Sequence, residues 1–554
     1  MVDKLGTTQY TYDGLYRLQT DSCGYLNTKV MYQYDQAGNR TRMKVCSGDT
    51  SIVHLDQTYT SYDNANRAGA TTAGGQEYTF TYWDPGTPKV IILRNEYNEY
   101  KIQEYYYLTT RGFVDSIRSC YWTNDPSYTY WFKNKYGYNG LGDRTSQYVY
   151  LTRPGTSVLS GTIYYYYDGK RQLKKVMNPA GIDGGDSIRF TYDAAGNRLK
   201  RIKGPSSYKI YTYNAANNQM TVQDQSPSLP DPYEYSYDDN GNLTQSFDEP
   251  GTRTYAYDFE NRLTKVKQGS DSTVFFYNGD GVRLKKLGTK DSSLQYIPDG
   301  MYTAVERRTN GNIRYKYVYA NGMLLARIDS TGRKFYYHHD ALGSIVGVSD
   351  STYAVWKSFL YDEFGDSLGA WGATSINNYR YTGQEYDITP VNAYNLRARE
   401  YYPKLGRFMQ NDPIGDKGGC LNWYSYVANN PINWTDPTGK YVYVCQKWVY
   451  GLIPHRFIKV GDNDDMSQPT WGFYPDVNIL QHGFVIGGYN APGQIKSPDP
   501  ANTSPCWKIT TDKCHDDCVK GLAAKRMAAP APNYNFYKYN CWDWVLDILH
   551  DCGL

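Results

Sequence analysis

Two sets of residues in this chain have the types and spacing to do chemistry. The first lies at the C-terminus. In "YNCWDWVLDILHDCGL" (539–554), Cys541, Trp544, Val545, Ile548, Leu549 and Cys552 recur at helical spacing, while Asp543, Asp547 and Asp551 fall on the other side. Asn540 is a reasonable N-cap and Gly553 a reasonable stop, so Cys541 heads a helix. A helix N-terminus stabilises a thiolate, and the thiolate is the nucleophile. Such a cysteine needs a base, and His455, placed by the sequence at the head of a strand, is the natural candidate. The second set is a pair of aspartates in "DPIG" (Asp412 to Gly415) and "DPTG" (Asp436 to Gly439). Two carboxylates brought close do not both ionise easily; one that keeps its proton can protonate a leaving amide while the other activates water. The plainer reading of each motif is an ordinary turn, and of Cys541 a buried, inert thiol.

The elements that must position these groups are mostly strands. Of 554 residues, 61 are Tyr against 16 Phe and 12 Trp, and 51 are Gly. Tyrosine suits a half-buried pleated surface, and Gly with Asn and Asp supplies turns. The pattern Y-x-Y-D-x-x-G-N-R-L recurs, as in "FTYDAAGNRLKRI" (190–202), "YSYDDNGNLTQS" (235–246) and "YAYDFENRLTKV" (255–266). Its turn residues at 193, 214, 238, 258 and 278 are 20 to 24 apart. Aromatics at i and i+2 share one face of a strand, Asp opens a turn, and the segment after it returns. Each unit predicts a hairpin, and hairpins at one period predict a repeat architecture that shares a sheet. Weaker copies run from Tyr10 to Leu18 and from Tyr361 to Leu368, and the pattern degenerates near 85–160.

These repeats resemble the YD-repeat, or RHS, family. So do "YYHHDALGSIVGVSD" (336–350), "YRYTGQEYD" (379–387), "NLRAREYYPKLGRFMQNDPIG" (395–415) and "LNWYSYVANNPINWTDPTG" (421–439). The resemblance implies a mainly β chain: a spiral of β-hairpins forming a hollow shell over 1–335, a core or plug region over 336–439, and a variable cargo, often a toxin, over 440–554. It implies self-cleavage by Asp412 and Asp436 at the Gly439–Lys440 bond. Lys440 stands where the family commonly has leucine, and "REYYP" (399–403) where it has RYYDP. It further implies a secreted or cell-surface protein with an immunity protein and secretion machinery as partners.

From Lys440 onward the repeat stops, and six of the ten cysteines crowd the last 115 residues. Strands are expected over 441–449, 455–462 and 470–476, with one more short strand within 482–495, and helices over 516–529 and from Cys541. The order strand-His, more strands, helix-Cys resembles a circularly permuted papain-like fold of the NlpC type, a small α+β domain. That resemblance implies a cysteine hydrolase or acyltransferase acting on peptide, peptidoglycan or lipid. It does not place the group that orients His455; Thr470 and His482 are both open. "CHDDC" (514–518) lacks the paired C-x₂-C spacing of zinc sites, and burial or a disulfide with Cys506 is the better reading. No metal or cofactor is expected. The formal net charge is +3, and residues 440–554 hold 11 basic and 11 acidic side chains, which argues against a nucleic-acid partner. No apolar run approaches the roughly 18 residues of a membrane span. The start has no signal-peptide pattern and falls inside a repeat, as a fragment of a longer protein would. The rival expectation is a non-enzymatic adhesion or carbohydrate-binding scaffold with a structural plug.

Overall fold

A computed structural model describes residues 1–440, apart from 84–87, 95–99, 122–128, 156, 215–216, 226–232, 249–250, 290–292, 373–376, 389 and 416–421. Beyond 440 it describes the backbone of five strands. From Val2–Asp3 to Ser367–Gly372, thirty-three strands form one antiparallel sheet. Every strand pairs with the one before and the one after it, a continuous meander.

The unit of this meander is the expected hairpin. In the copy at 255–268, Tyr255 is buried and its hydroxyl meets Ser246 Oγ at 3.0 Å. The ladder shifts register between Ala256 and Tyr257. Such a bulge bends the strand and re-aims the side chain that follows. Tyr257 then donates its hydroxyl to the Leu243 carbonyl of the preceding hairpin at 2.9 Å. Tyr192 does the same to Leu173, Tyr213 to Arg198 and Tyr277 to Leu263. This explains why the second aromatic is tyrosine: it buries a ring and carries a donor that ties neighbouring hairpins together.

The turn is closed by its aspartate. Asp258 Oδ1 accepts the Arg262 N–H at 3.0 Å, while Asp258 Oδ2 takes Arg262 Nε at 2.8 Å. In the stretch where the pattern degenerates, Thr109 and Asn139 take the same position. Thr109 Oγ1 accepts the Phe113 N–H, and Asn139 Oδ1 accepts those of Leu141 and Asp143. The chemistry of the turn survives the loss of the motif.

The sheet curls until hairpins 205 to 281 residues apart touch. Asp299 accepts from Tyr32 at 3.1 Å and from Arg40 at 2.6 Å. Gln57 donates to the Tyr319 carbonyl, and Tyr336 to Gln76 Oε1. The Glu104 carboxylate accepts the His339 N–H at 3.2 Å, with His338 Nδ1 at 3.6 Å.

A second, four-stranded sheet follows: Glu385–Asp387, Ala393–Asn395, Glu400–Tyr402 and Arg407–Phe408. With the loops after it, it packs on the turn tips of the repeat. Asn422 and Asn429 donate to Asn197 and Gly196, and Tyr424 donates to Gly241. Only glycine fits at 241: φ is +81°, and a Cβ there would stand 2.0 Å from Asn411 Nδ2 and 2.7 Å from the Tyr424 hydroxyl.

In the C-terminal region, Cys445–Val449, Ile453–Lys459, Thr470–Pro475, Asn490–Lys496 and Asn533–Asn535 pair antiparallel in that order. The strand around His455 starts two residues earlier than expected, so His455 is its third residue, opposite Lys447, rather than its head. The expected helices at 516–529 and from Cys541 lie outside the described residues. Among the described residues no helix is long and apolar enough to cross a membrane.

Candidate self-cleavage site

Each DP-G segment folds as a tight turn of the kind that closes the repeat hairpins. Asp412 Oδ1 accepts the Ile414 N–H at 3.0 Å, and the Asp412 carbonyl accepts Gly415 N–H at 2.9 Å. Asp436 Oδ1 accepts the N–H groups of Thr438 at 3.3 Å and Lys440 at 3.1 Å. Both side chains are buried.

The two carboxylates are brought together through an arginine. The Arg399 side chain is 1% exposed, and its Nη2 lies 2.9 Å from Asp412 Oδ2 and 3.4 Å from Asp436 Oδ2. Its Nη1 donates to the Trp423 carbonyl at 2.8 Å, and its Nε donates to the Gly439 carbonyl at 2.5 Å. The guanidinium stacks on Phe408, 3.6 Å from the ring centre. Arg399 comes from the loop edge of the small sheet, Asp412 and Asp436 from the loops after it.

To the two carboxylates that the motifs supply, the structure adds a cation shared between them. Burial is what pushes the Asp436 carboxyl up, against the opposing pull of Arg399 and of the backbone N–H groups it accepts.

The Gly439–Lys440 peptide is held at both ends. Arg399 polarises its carbonyl, and Asp436 sits on its N–H. Gly439 has φ +71°, and a Cβ there would fall 2.6 Å from the Leu396 carbonyl and 3.0 Å from Arg399 N. Lys440 is exposed, so the fold puts no apolar demand on that position. Next door, Arg397 donates to the Pro437 carbonyl. The arrangement offers an oxyanion partner, an acid beside the leaving nitrogen and a second carboxylate on the same guanidinium.

Asp412, Asp436, Gly439 and Lys440 therefore converge. Arg399 was missed as a site residue, although the altered "REYYP" pointed to its neighbourhood. His455 is placed by backbone alone. Cys541, His482, Cys506, Cys514, His515 and Cys518 lie outside the described residues, and Thr470 begins a strand.

The Teneurin YD-shell family model matches residues 90–432, and the chain belongs to that family. The chain is 32% identical over 274 residues to the tRNA nuclease WapA of Bacillus subtilis (strain 168), covering 47% of this chain and 11% of that protein. It is 29% identical over 339 residues to Double-stranded DNA deaminase toxin A of Burkholderia cenocepacia (strain H111), covering 55% of this chain and 22% of that one. The chain thus spans between a tenth and a quarter of the length of these relatives. The crystal structure of TcdB2-TccC3-Cdc42 aligns over 78% of this chain and 30% of its own, at 17% identity and a TM-score of 0.30, too low to carry weight.

Proposed function

We propose that this chain is the shell and cargo portion of an RHS-type toxin, with repeat wall 1–335, core 336–439 and cargo 440–554, and that it cuts itself between Gly439 and Lys440. The observation that carries the reading is the clasp on that peptide bond: Arg399 on its oxygen, Asp436 on its nitrogen. Water adds to the Gly439 carbonyl carbon as a carboxylate takes its proton. Arg399 holds the oxyanion, and protonated Asp436 gives its proton to the departing Lys440 amine. The products are a Gly439 carboxylate and a free Lys440 amine. Intact mass and N-terminal sequencing of the purified full chain test this. The expected result is a 1–439 species and a new N-terminus at Lys440, both absent in Asp436→Asn; an uncut wild-type chain sinks the reading.

For the cargo, the reading is a cysteine hydrolase or acyltransferase in which Cys541 attacks an amide or ester carbonyl and His455 carries the proton. Its support is that His455 lies on a strand, Ile453–Lys459, with further strands between it and Cys541 in the sequence. Alkylation of Cys541 in the full chain, read by peptide mass against pH, is expected to be fast well below the usual thiol pKa of about 8.5 and to slow in His455→Ala. A normal titration indifferent to His455 overturns it.

A second reading has its own support. The matched relatives are named for tRNA and double-stranded DNA, so the exclusion of nucleic acid drawn from the neutral cargo is withdrawn, and a nucleic-acid substrate stands beside peptide, peptidoglycan and lipid. Incubation of the full chain with tRNA and with duplex DNA, followed by gel and base analysis, separates the two readings. These names give no support to the adhesion scaffold. An immunity protein and secretion machinery remain the partners proposed, and a secreted or cell-surface location goes with them.

A further inference from the structure

Beside the clasp lies a cavity of about 280 Å³ that self-cleavage does not use. Its walls come from the repeat, with Tyr302 and Tyr319, and from the core, with His339, Tyr379, Arg397 and Thr435. Three tyrosines make its aromatic side, with Tyr302 and Tyr319 at 4.8 Å between ring centres. The volume is just below the range usual for a ligand site, and the lining is mixed, with threonine, glutamine, asparagine, histidine and arginine side chains beside the tyrosines.

The cation among the lining groups has no carboxylate partner. Arg397 donates to the carbonyls of Met301 and Pro437 and to Gln384 Oε1, all neutral oxygens; among the described residues no carboxylate is within ion-pair distance of it. The one carboxylate in the lining, Glu385, is already engaged, by Arg283 at 2.8 Å and by the Tyr296 hydroxyl at 2.9 Å. Asn395 spends its Oδ1 on the Arg397 N–H, and its Nδ2 is buried with no partner. His339, 4% exposed, turns its Nδ1 toward the Glu104 carboxylate, 3.9 Å away. A half-buried cation facing only neutral oxygens attracts an anion.

We propose that this cavity binds a small molecule carrying a carboxylate on a six-membered ring, with the carboxylate on Arg397 and the ring against the tyrosines. The site is independent of whether the chain cuts itself. Two sources share this chemistry, a planar aromatic acid and a pyranose sugar acid, and the probes distinguish them.

The test uses the full chain with 4-hydroxybenzoate and glucuronate, each against its uncharged counterpart, 4-hydroxybenzamide and glucose. Ligand-detected saturation-transfer NMR and calorimetry give the readout. One of the two acids is expected to saturate a single site and to bind about tenfold or more tighter than its uncharged counterpart, a difference set by one charge-assisted contact. Arg397→Gln is expected to remove that preference. Because Arg397 also supports Pro437, Thr435→Phe, which fills the cavity and keeps the arginine, serves as the second variant and is expected to abolish binding. The proposal is overturned if neither acid saturates, if the uncharged partner binds equally, or if Thr435→Phe binds as the wild type does.

Discussion

The repeat wall and the core that follows it spend their polar residues differently. In the wall, the repeat-turn carboxylates serve their own turns: Asp13 caps Arg17, Asp258 caps Arg262 and Asp238 caps Asn242, each four residues on, while Asp299 and Glu104 join distant hairpins. In the core, the charged groups reach across the chain. Arg399 gathers Asp412, Asp436 and Gly439, and Asp387 accepts from Arg283 and Lys286 about a hundred residues earlier. Local pairs near the surface each contribute little and are replaceable, whereas a buried charge that loses its partner is costly. The repeat turns are redundant by construction, and the core concentrates consequence in a few residues.

Arg399→Ala should do the most damage. It strands two buried carboxylates and should cost about 3–5 kcal/mol, read as a lowered denaturation midpoint, together with the loss of cleavage. If the midpoint hardly moves, Asp412 and Asp436 are not relying on it, and the contrast between core and wall fails. Gly439→Ala comes next. It forces a side chain into a left-handed backbone against the Leu396 carbonyl, and should cost about 1–3 kcal/mol and slow cleavage. Cleavage at the wild-type rate in that variant would show that the peptide need not be held where it is seen.

The pH profile separates Glu400 of the core from Asp13 of the wall by sign. Burial pushes the Glu400 carboxyl from 4.5 up to about 7, with the Gln410 amide opposing. Its contribution is fully present below pH 4.5 and is lost as pH rises toward 7. Asp13 in the wall is shifted the other way, chiefly by the Arg17 N–H, so its contribution is present above the usual 3.8 and is lost as pH falls below it. Glu400→Gln should therefore flatten the stability profile between about pH 4.5 and 7. An unchanged slope there would assign it to another group. Tyr257→Phe should have the smallest effect, about 1 kcal/mol for one hydroxyl donated to Leu243. A loss several times larger would mean that the repeat is not redundant.

The wall was legible because its information is local. The i, i+2 aromatics, the turn aspartate and the 20-residue spacing all act within one hairpin, so the residue pattern and the fold carry the same period. Even the degenerate stretch obeyed, because Thr109 and Asn139 accept the same turn N–H groups as aspartate. The site was half legible. Asp412, Asp436 and the Gly439–Lys440 bond could be picked out as motifs, but not the cation between them. Arg399 lies 13 and 37 residues from its two carboxylates, and nothing in its neighbours says that a guanidinium stacked on Phe408 will meet both.

By itself, then, the sequence determined the hairpin, its turn chemistry and its tyrosine ties, since these are settled between residues a few positions apart. Tertiary structure decided which hairpins meet after some 260 residues, which arginine serves Asp436, and where Arg397 is left beside a cavity without a carboxylate. Those outcomes depend on how far the sheet curls, a sum of many small twists that no single residue encodes.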